Sequence, residues 1–175
     1  MPTSEIELLR LAHRLDAATL AQIYDLYSTD IYRYAMRLLG NTSLAEECVA
    51  ETFSRLLHAL SNGKGPRDYL RAYLYRIAHN WITDQYRREH FTEELNESLP
   101  SDASLPEESA DQNAQHAQLL QAIHKLTPDQ QQVIALKFWH DWENEEIARA
   151  LNKPVGAIKS LQHRALAALQ RHLQD

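Results

Sequence analysis

Apolar side chains recur along this chain every three or four residues, and almost nowhere every two. In residues 17–39 they fall at Leu20, Ile23, Tyr24, Tyr27, Ile31, Tyr34, Ala35 and Leu38, one stripe of a helix that turns every 3.6 residues. Asp16 stands where a cap would, and Gly40-Asn41 where the helix would stop, since glycine accepts left-handed backbone just past a helix end. Residues 43–60 repeat the pattern, with Ala45, Cys48, Val49, Thr52, Phe53, Leu56, Leu57 and Leu60 inward. Ser43 and Glu46 form a capping box at their start. A loop follows at 61–65, and Pro66 then opens a third helix over 67–90, with Leu70, Leu74, Ile77, Trp81 and Gln85 on its inner side. A short amphipathic segment, 4–14, precedes these and carries no assigned role. Strand-like alternation between turn signals is missing, and the chain of 175 residues has only 4 glycines. The pattern predicts an all-α fold.

The periodicity lapses over residues 91–113. This tract holds Pro100, Pro106, seven acids and neither Lys nor Arg. Its few large apolar side chains do not offset the entropy of ordering it, so it reads as a flexible acidic linker. As a random coil it would span about 26 Å root-mean-square. The chain thus divides into two small helical domains, residues 1–90 and 114–175. In the second, Leu119, Leu120, Ile123 and Leu126 share a face, and Thr127-Pro128-Asp129-Gln130 is another capping box. Val133, Ile134, Leu136 and Phe138 continue that helix, and Trp139 and Trp142 mark a joint in the core.

The last stretch has the form of a helix-turn-helix. Residues 145–151 make a short helix, Asn152-Lys153 a tight turn, and Pro154 opens a longer helix to His172. Asn suits the left-handed backbone such a turn needs. Ile158, Leu161, Ala165 and Leu169 form one buried stripe, which leaves Ala157, Lys159, Ser160, His163 and Arg164 outward. Between Ile147 and Gln174 five basic residues, Arg149, Lys153, Lys159, Arg164 and Arg171, occur without an acid. A basic, solvated helix in an ordinary bundle has this pattern as well as a helix that enters a major groove does.

The net charge of −6 conceals the distribution. Residues 64–88 carry a balance of +4, and the outer side of their helix interleaves Tyr75, Arg76, His79, Asn80, Thr83, Tyr86 and Arg87. Rings stack on exposed bases and arginines bind phosphate; tyrosines tucked at the core edge beside surface arginines are the other reading. On the second helix Glu46, Glu47, Ala50, Glu51 and Ser54 face outward, a solvated acidic face or a docking surface.

Chemistry of other kinds is missing from the sequence. A phosphate-binding Gly loop, a nucleophile elbow and a metal-spaced Cys/His set do not occur. The 9 histidines are scattered, and the lone Cys48 sits on an apolar side as a packed thiol. Neither catalysis nor a cofactor or metal is expected. One cysteine, no secretory leader and no apolar run near the ~20 residues of a membrane span fit a cytoplasmic protein.

Two blocks together are more specific than either. Leu38-Leu39-Gly40, Ala45-Glu46-Glu47-Cys48-Val49-Ala50-Glu51-Thr52-Phe53, Leu70-Arg71-Ala72-Tyr73-Leu74-Tyr75-Arg76-Ile77-Ala78-His79-Asn80 and Asp84-Gln85-Tyr86-Arg87-Arg88 resemble the first domain of extracytoplasmic-function (ECF) sigma factors of bacterial RNA polymerase. Leu126-Thr127-Pro128, Glu145-Glu146-Ile147-Ala148, Val155-Gly156-Ala157-Ile158-Lys159-Ser160 and His163-Arg164-Ala165 resemble their second domain. The resemblance implies that Glu46, Glu47, Glu51 and Ser54 dock on core polymerase. It implies that Asn62, Lys64, Arg67, Tyr75, Arg76, His79, Asn80, Thr83 and Arg87 open and read the minus-ten promoter element. It places Lys153, Ala157, Lys159, Ser160, His163 and Arg164 at the minus-thirty-five element, sends the acidic linker through the polymerase, and adds an anti-sigma factor as a partner. Ala50, where the family usually has Gln, removes one polymerase contact. Glu143 replaces the usual Ser or Thr cap, and Leu161-Gln162 replaces an Arg-Leu pair. Two other readings remain at this point: a free-standing dimeric helix-turn-helix regulator that acts without polymerase, and a sigma-like protein kept only for protein interaction.

Overall fold

A computed structural model describes residues 4–93 and 110–175, and of 90–93 the backbone alone. The described residues divide between two compact units, one within 4–93 and the other within 110–175. The first unit contains α1 (Glu5–Ala12), α2 (Ala17–Leu39), α3 (Thr42–Ser61) and α4 (Leu70–Glu93). The second contains α5 (Ala110–His124), α6 (Pro128–Ile134), a π-helical turn (Ala135–Trp139), α7 (Asn144–Leu151) and α8 (Val155–Gln174). The tract predicted as a linker loses its ends: 91–93 belong to α4 and 110–113 to α5, and 94–109 lie outside the described residues.

In the first unit α2, α3 and α4 pack against one another and α1 lies on α2. Asp16 caps α2 by accepting from the Thr19 N–H at 2.9 Å, and Gly40 closes it at φ 63°. The core joins Ile23, Ile31, Tyr34 and Leu38 of α2 with Cys48, Phe53, Leu56 and Leu60 of α3 and Leu70, Leu74, Ala78 and Ile82 of α4. Burying each such aliphatic or aromatic chain contributes about 1.5–3 kcal/mol. Tyr24 and Leu57, read as inward, are 47% and 44% exposed. Two starts also move. Asn41, not Ser43, caps α3, accepting from the Leu44 N–H at 2.9 Å. α4 begins at Leu70 rather than Arg67, because residues 66–69 form a loop that ends with Tyr69 in the left-handed region at φ 49°. Its first N–H is capped from far away in the chain: Leu70 N–H donates to the Glu5 carboxylate at 3.2 Å. The segment without a role in the sequence thus fixes where α4 starts.

In the second unit α6 and α7 pack on α8, as does α5. Thr127 and Gln130 form the expected reciprocal capping box of α6. The π turn then shifts the phase of the helix. Trp142 ends up 1% exposed in the core, whereas Phe138 is 57% exposed. Among the described residues no helix is long and apolar enough to cross a membrane.

Candidate DNA- and polymerase-contact surfaces

The loop after α3 is built by backbone bonds. The Gly63 N–H donates to Leu60 O at 3.0 Å and the Lys64 N–H to Ala59 O at 2.8 Å, which satisfies carbonyls at the end of α3. Gly63 holds φ 69°, a conformation a residue without a Cβ adopts with least strain. The Asn62 amide donates to His58 Nε2 at 3.1 Å. Asn62, Lys64 and Arg67 are all exposed.

On α4 the exposed stripe is Arg76, Asn80 and Arg87, with Thr83 half-buried between them. Their spacings of four, three and four put them on one face. Tyr75 and His79, expected on this DNA-facing side, are instead 2% and 3% exposed. The reason is that α4 is covered twice. Leu70, Leu74, Ala78 and Trp81 form one buried stripe, and Ala72, Tyr75, His79 and Ile82 form a second beside it. His79 Nδ1 and the Tyr34 hydroxyl are hydrogen-bonded at 2.7 Å, and the Tyr34 and Tyr75 rings meet edge-on at 5.2 Å. Tyr86 also turns inward, its hydroxyl donating to the Leu38 carbonyl. Burial raises the phenols of Tyr34, Tyr75 and Tyr86 above their ordinary range, so all three are neutral packing groups.

Cys48 belongs to the same core, its thiol 3.8 Å from the Ala78 carbonyl, and burial pushes its pKa up to about 12. Since the fold favours the protonated thiol, its contribution to stability is full below the ordinary value of 9.0 and falls as pH rises towards 12. A thiol reagent is expected to spare Cys48 in the native protein at neutral pH and to label it fully in denaturant; labelling stoichiometry checks this.

On α3, Glu46, Glu47 and Ser54 are exposed, and Glu51 is half-buried and paired with Arg55 at 2.8 Å. Glu46 is also part of a groove of about 290 Å³ between α2 and α3, with Tyr24, Tyr32, Val49 and Ala50. The Tyr24 ring packs on Phe53 with centroids 4.8 Å apart while the rest of it faces out. Together with Leu26, 54% exposed, it adds apolar surface to α2 that was missed in the sequence. The signal was there in Leu26, an apolar residue off the buried stripe.

In the second unit, Asn152 takes the left-handed conformation, φ 54° and ψ 49°, between α7 and α8. Its N–H donates to Arg149 O at 3.3 Å and that of Lys153 to Ala148 O at 2.9 Å, so the turn closes the end of α7. The start of α7 holds despite Glu143, because the Glu146 carboxylate accepts the Glu143 N–H at 3.2 Å. Leu161 is buried, and the Gln162 amide donates to Asn144 Oδ1 at 2.7 Å, joining α8 to α7. The Leu161-Gln162 departure is therefore absorbed as a bridge between the two helices. Lys159, Ser160, His163 and Arg164 are exposed and line one shallow depression; Ala157 is half-buried. The Ser160 hydroxyl donates to Gly156 O at 3.1 Å, which leaves its oxygen to accept. Lys153 turns towards α6 and pairs with Asp129 at 3.1 Å. Among the described residues no group of His, Cys, Asp and Glu is arranged to hold a metal.

The geometry defines a helical protein of two units with a helix-turn-helix, α7 and α8, in the second. Residues 23–92 match the Sigma-70 region 2 family and residues 116–169 the Sigma-70 region 4 family. The ECF RNA polymerase sigma factor BldN of Streptomyces coelicolor is 33% identical over 174 residues, which cover 97% of this chain and 66% of BldN. The ECF RNA polymerase sigma factor SigL of Mycobacterium tuberculosis is 32% identical over 165 residues, covering 91% of this chain and 92% of SigL. CnrH, solved in complex with the cytosolic domain of CnrY, superposes with a TM-score of 0.72 over 97% of both chains at 21% identity, a likeness of fold. The chain belongs to the ECF sigma factors of RNA polymerase. It binds core polymerase and directs initiation at particular promoters. A regulator that works without polymerase is not favoured, since the region 2 match takes in residues 23–92 of the first unit.

Proposed function

We propose that the two units read separate promoter elements and that α3 meets the polymerase. The exposed stripe Arg76, Asn80, Thr83 and Arg87, continued by Asn62, Lys64 and Arg67, suits the minus-ten element: its cations bind phosphate, and its amides and hydroxyl reach base edges. This stripe carries the reading, because the core leaves it open, together with Arg88, Glu89 and Asp84, the last 4.0 Å from Arg87. Tyr75 and His79 support it from beneath and do not touch DNA. Lys159, Ser160, His163 and Arg164, with Ala157 at their edge, face the major groove of the minus-thirty-five element. Glu46, Glu47, Glu51 and Ser54, beside the groove between α2 and α3, form the contact with core polymerase. The acidic tract joins the two DNA-reading units along the polymerase, and the protein acts in the cytoplasm without chemistry of its own. CnrH was solved in complex with the cytosolic domain of CnrY, and an anti-sigma factor is proposed as a partner of this chain.

The experiment is promoter binding by holoenzyme across a salt series. Lys159→Ala with Arg164→Ala is expected to weaken binding about 10-fold or more and to flatten the slope of log affinity against log salt by about 2, one per phosphate contact. An unchanged slope would remove these residues from the DNA contact.

A further inference from the structure

The loop at residues 62–69, which the proposed function places against the minus-ten element, is fastened at two points to the N-terminal helix and the turn that follows it. At its far end the Glu5 carboxylate accepts the N–H of Leu70 at 3.2 Å. The same carboxylate acts on the phenol of Tyr27, which burial raises first, Glu5 raises further and Arg71 lowers. Glu5 therefore sits where α2 and α4 meet. In mid-loop, His13 Nε2–H donates to the Pro66 carbonyl at 2.9 Å. Gly65 lies so close to this post that a Cβ there would fall 2.5 Å from Leu60 Cδ2 and 3.4 Å from His13 Cε1. Both posts are rigidly mounted. Leu8, Leu9 and Ala12 of α1 are buried, and the turn that carries His13 is closed by Leu15, in the left-handed region at φ 57°. Between the posts, Arg67 and the half-exposed ring of Tyr69 stand outward.

We infer that Glu5 and His13 are positioning residues for promoter opening: α1 is a brace that holds the loop 62–69 in the form that receives the DNA. This rests on the assignment of that loop to the minus-ten element. The physical ground is preorganisation. A loop of eight residues left free must be ordered when DNA binds, and ordering opposes binding; a loop already held avoids that loss. The brace leaves the polymerase face of α3 untouched, so its effect should appear in promoter opening and not in core binding.

The test uses holoenzyme at saturating core polymerase and a promoter fragment selected by wild-type holoenzyme from a random-sequence pool, well below the unfolding midpoint of every variant. Glu5→Ala and His13→Ala are each expected to lower the equilibrium yield of open complex about fivefold, and the pair about 20-fold. Glu5→Gln keeps an acceptor and His13→Gln keeps a donor at similar reach, so both are expected near wild type. Affinity for core polymerase should be unchanged in all. The inference is overturned if the alanine variants open the promoter as wild type does, if they lose core binding in step with opening, or if the glutamine variants fail as the alanine ones do. A wild-type chain that selects and opens no promoter would strike instead at the proposed function.

Discussion

Replacing Trp142 with alanine is expected to destabilise the second unit by about 3–5 kcal/mol, the range for removing a large aromatic from a core. Trp142 is 1% exposed and ties the π turn to α7: its N–H donates to Leu136 O at 3.0 Å, and Lys137 Nζ reaches its carbonyl at 3.3 Å. A unit of this size has a total stability of roughly 3–10 kcal/mol, so the variant would sit at or beyond its unfolding threshold. Calorimetry should show the transition of the second unit lost or shifted far down while that of the first unit stays. Promoter-specific initiation should fall with it, because the turn at Asn152 presents α8 only when the core beneath is closed. A second-unit transition at its wild-type temperature would show that the ring does not hold the joint.

His79→Ala and Arg76→Ala should separate a core group from a contact group three residues away. His79 is 3% exposed and bonded to Tyr34. Its loss leaves a cavity and takes a partner from a buried hydroxyl, together costing about 2–4 kcal/mol. Arg76 is exposed, so its replacement should change stability by less than about 0.5 kcal/mol. It should nevertheless weaken promoter opening about 5–10-fold, the effect of one charged contact. Denaturant midpoints and open-complex yields measure the two sides. A stable His79→Ala that fails to open promoters would return His79 to the DNA surface.

What could be read from the sequence was local. Asp16, Gly40, Thr127 and Asn152 act through bonds within a few residues, and each stands as a cap or turn where its neighbours predicted. The outward set Lys159, Ser160, His163 and Arg164 was legible because α8 buries a single stripe. What could not be read was set from a distance. Periodicity assumes one buried face, but α4 is packed against both α2 and α3, and that second neighbour turned Tyr75 and His79 from surface to core. Pro66 marked a plausible helix start, but the cap that decides the start is Glu5, 65 residues earlier. Asn41 and Ser43 were both able to cap α3, and only the backbone fixed the choice. Phe138 was counted on an unbroken helix; the π turn changed the phase and left it exposed.

A sigma factor has to make core polymerase start where it otherwise does not. The most direct measurement is run-off transcription by purified core polymerase on the promoter pool selected by holoenzyme, with and without this chain. The account predicts discrete transcripts that require the chain, and that are lost when Arg76, Asn80 and Arg87 are replaced together although the holoenzyme still assembles. Tight binding of the chain alone to a palindromic duplex, with no transcript added by it at any promoter, would contradict the account.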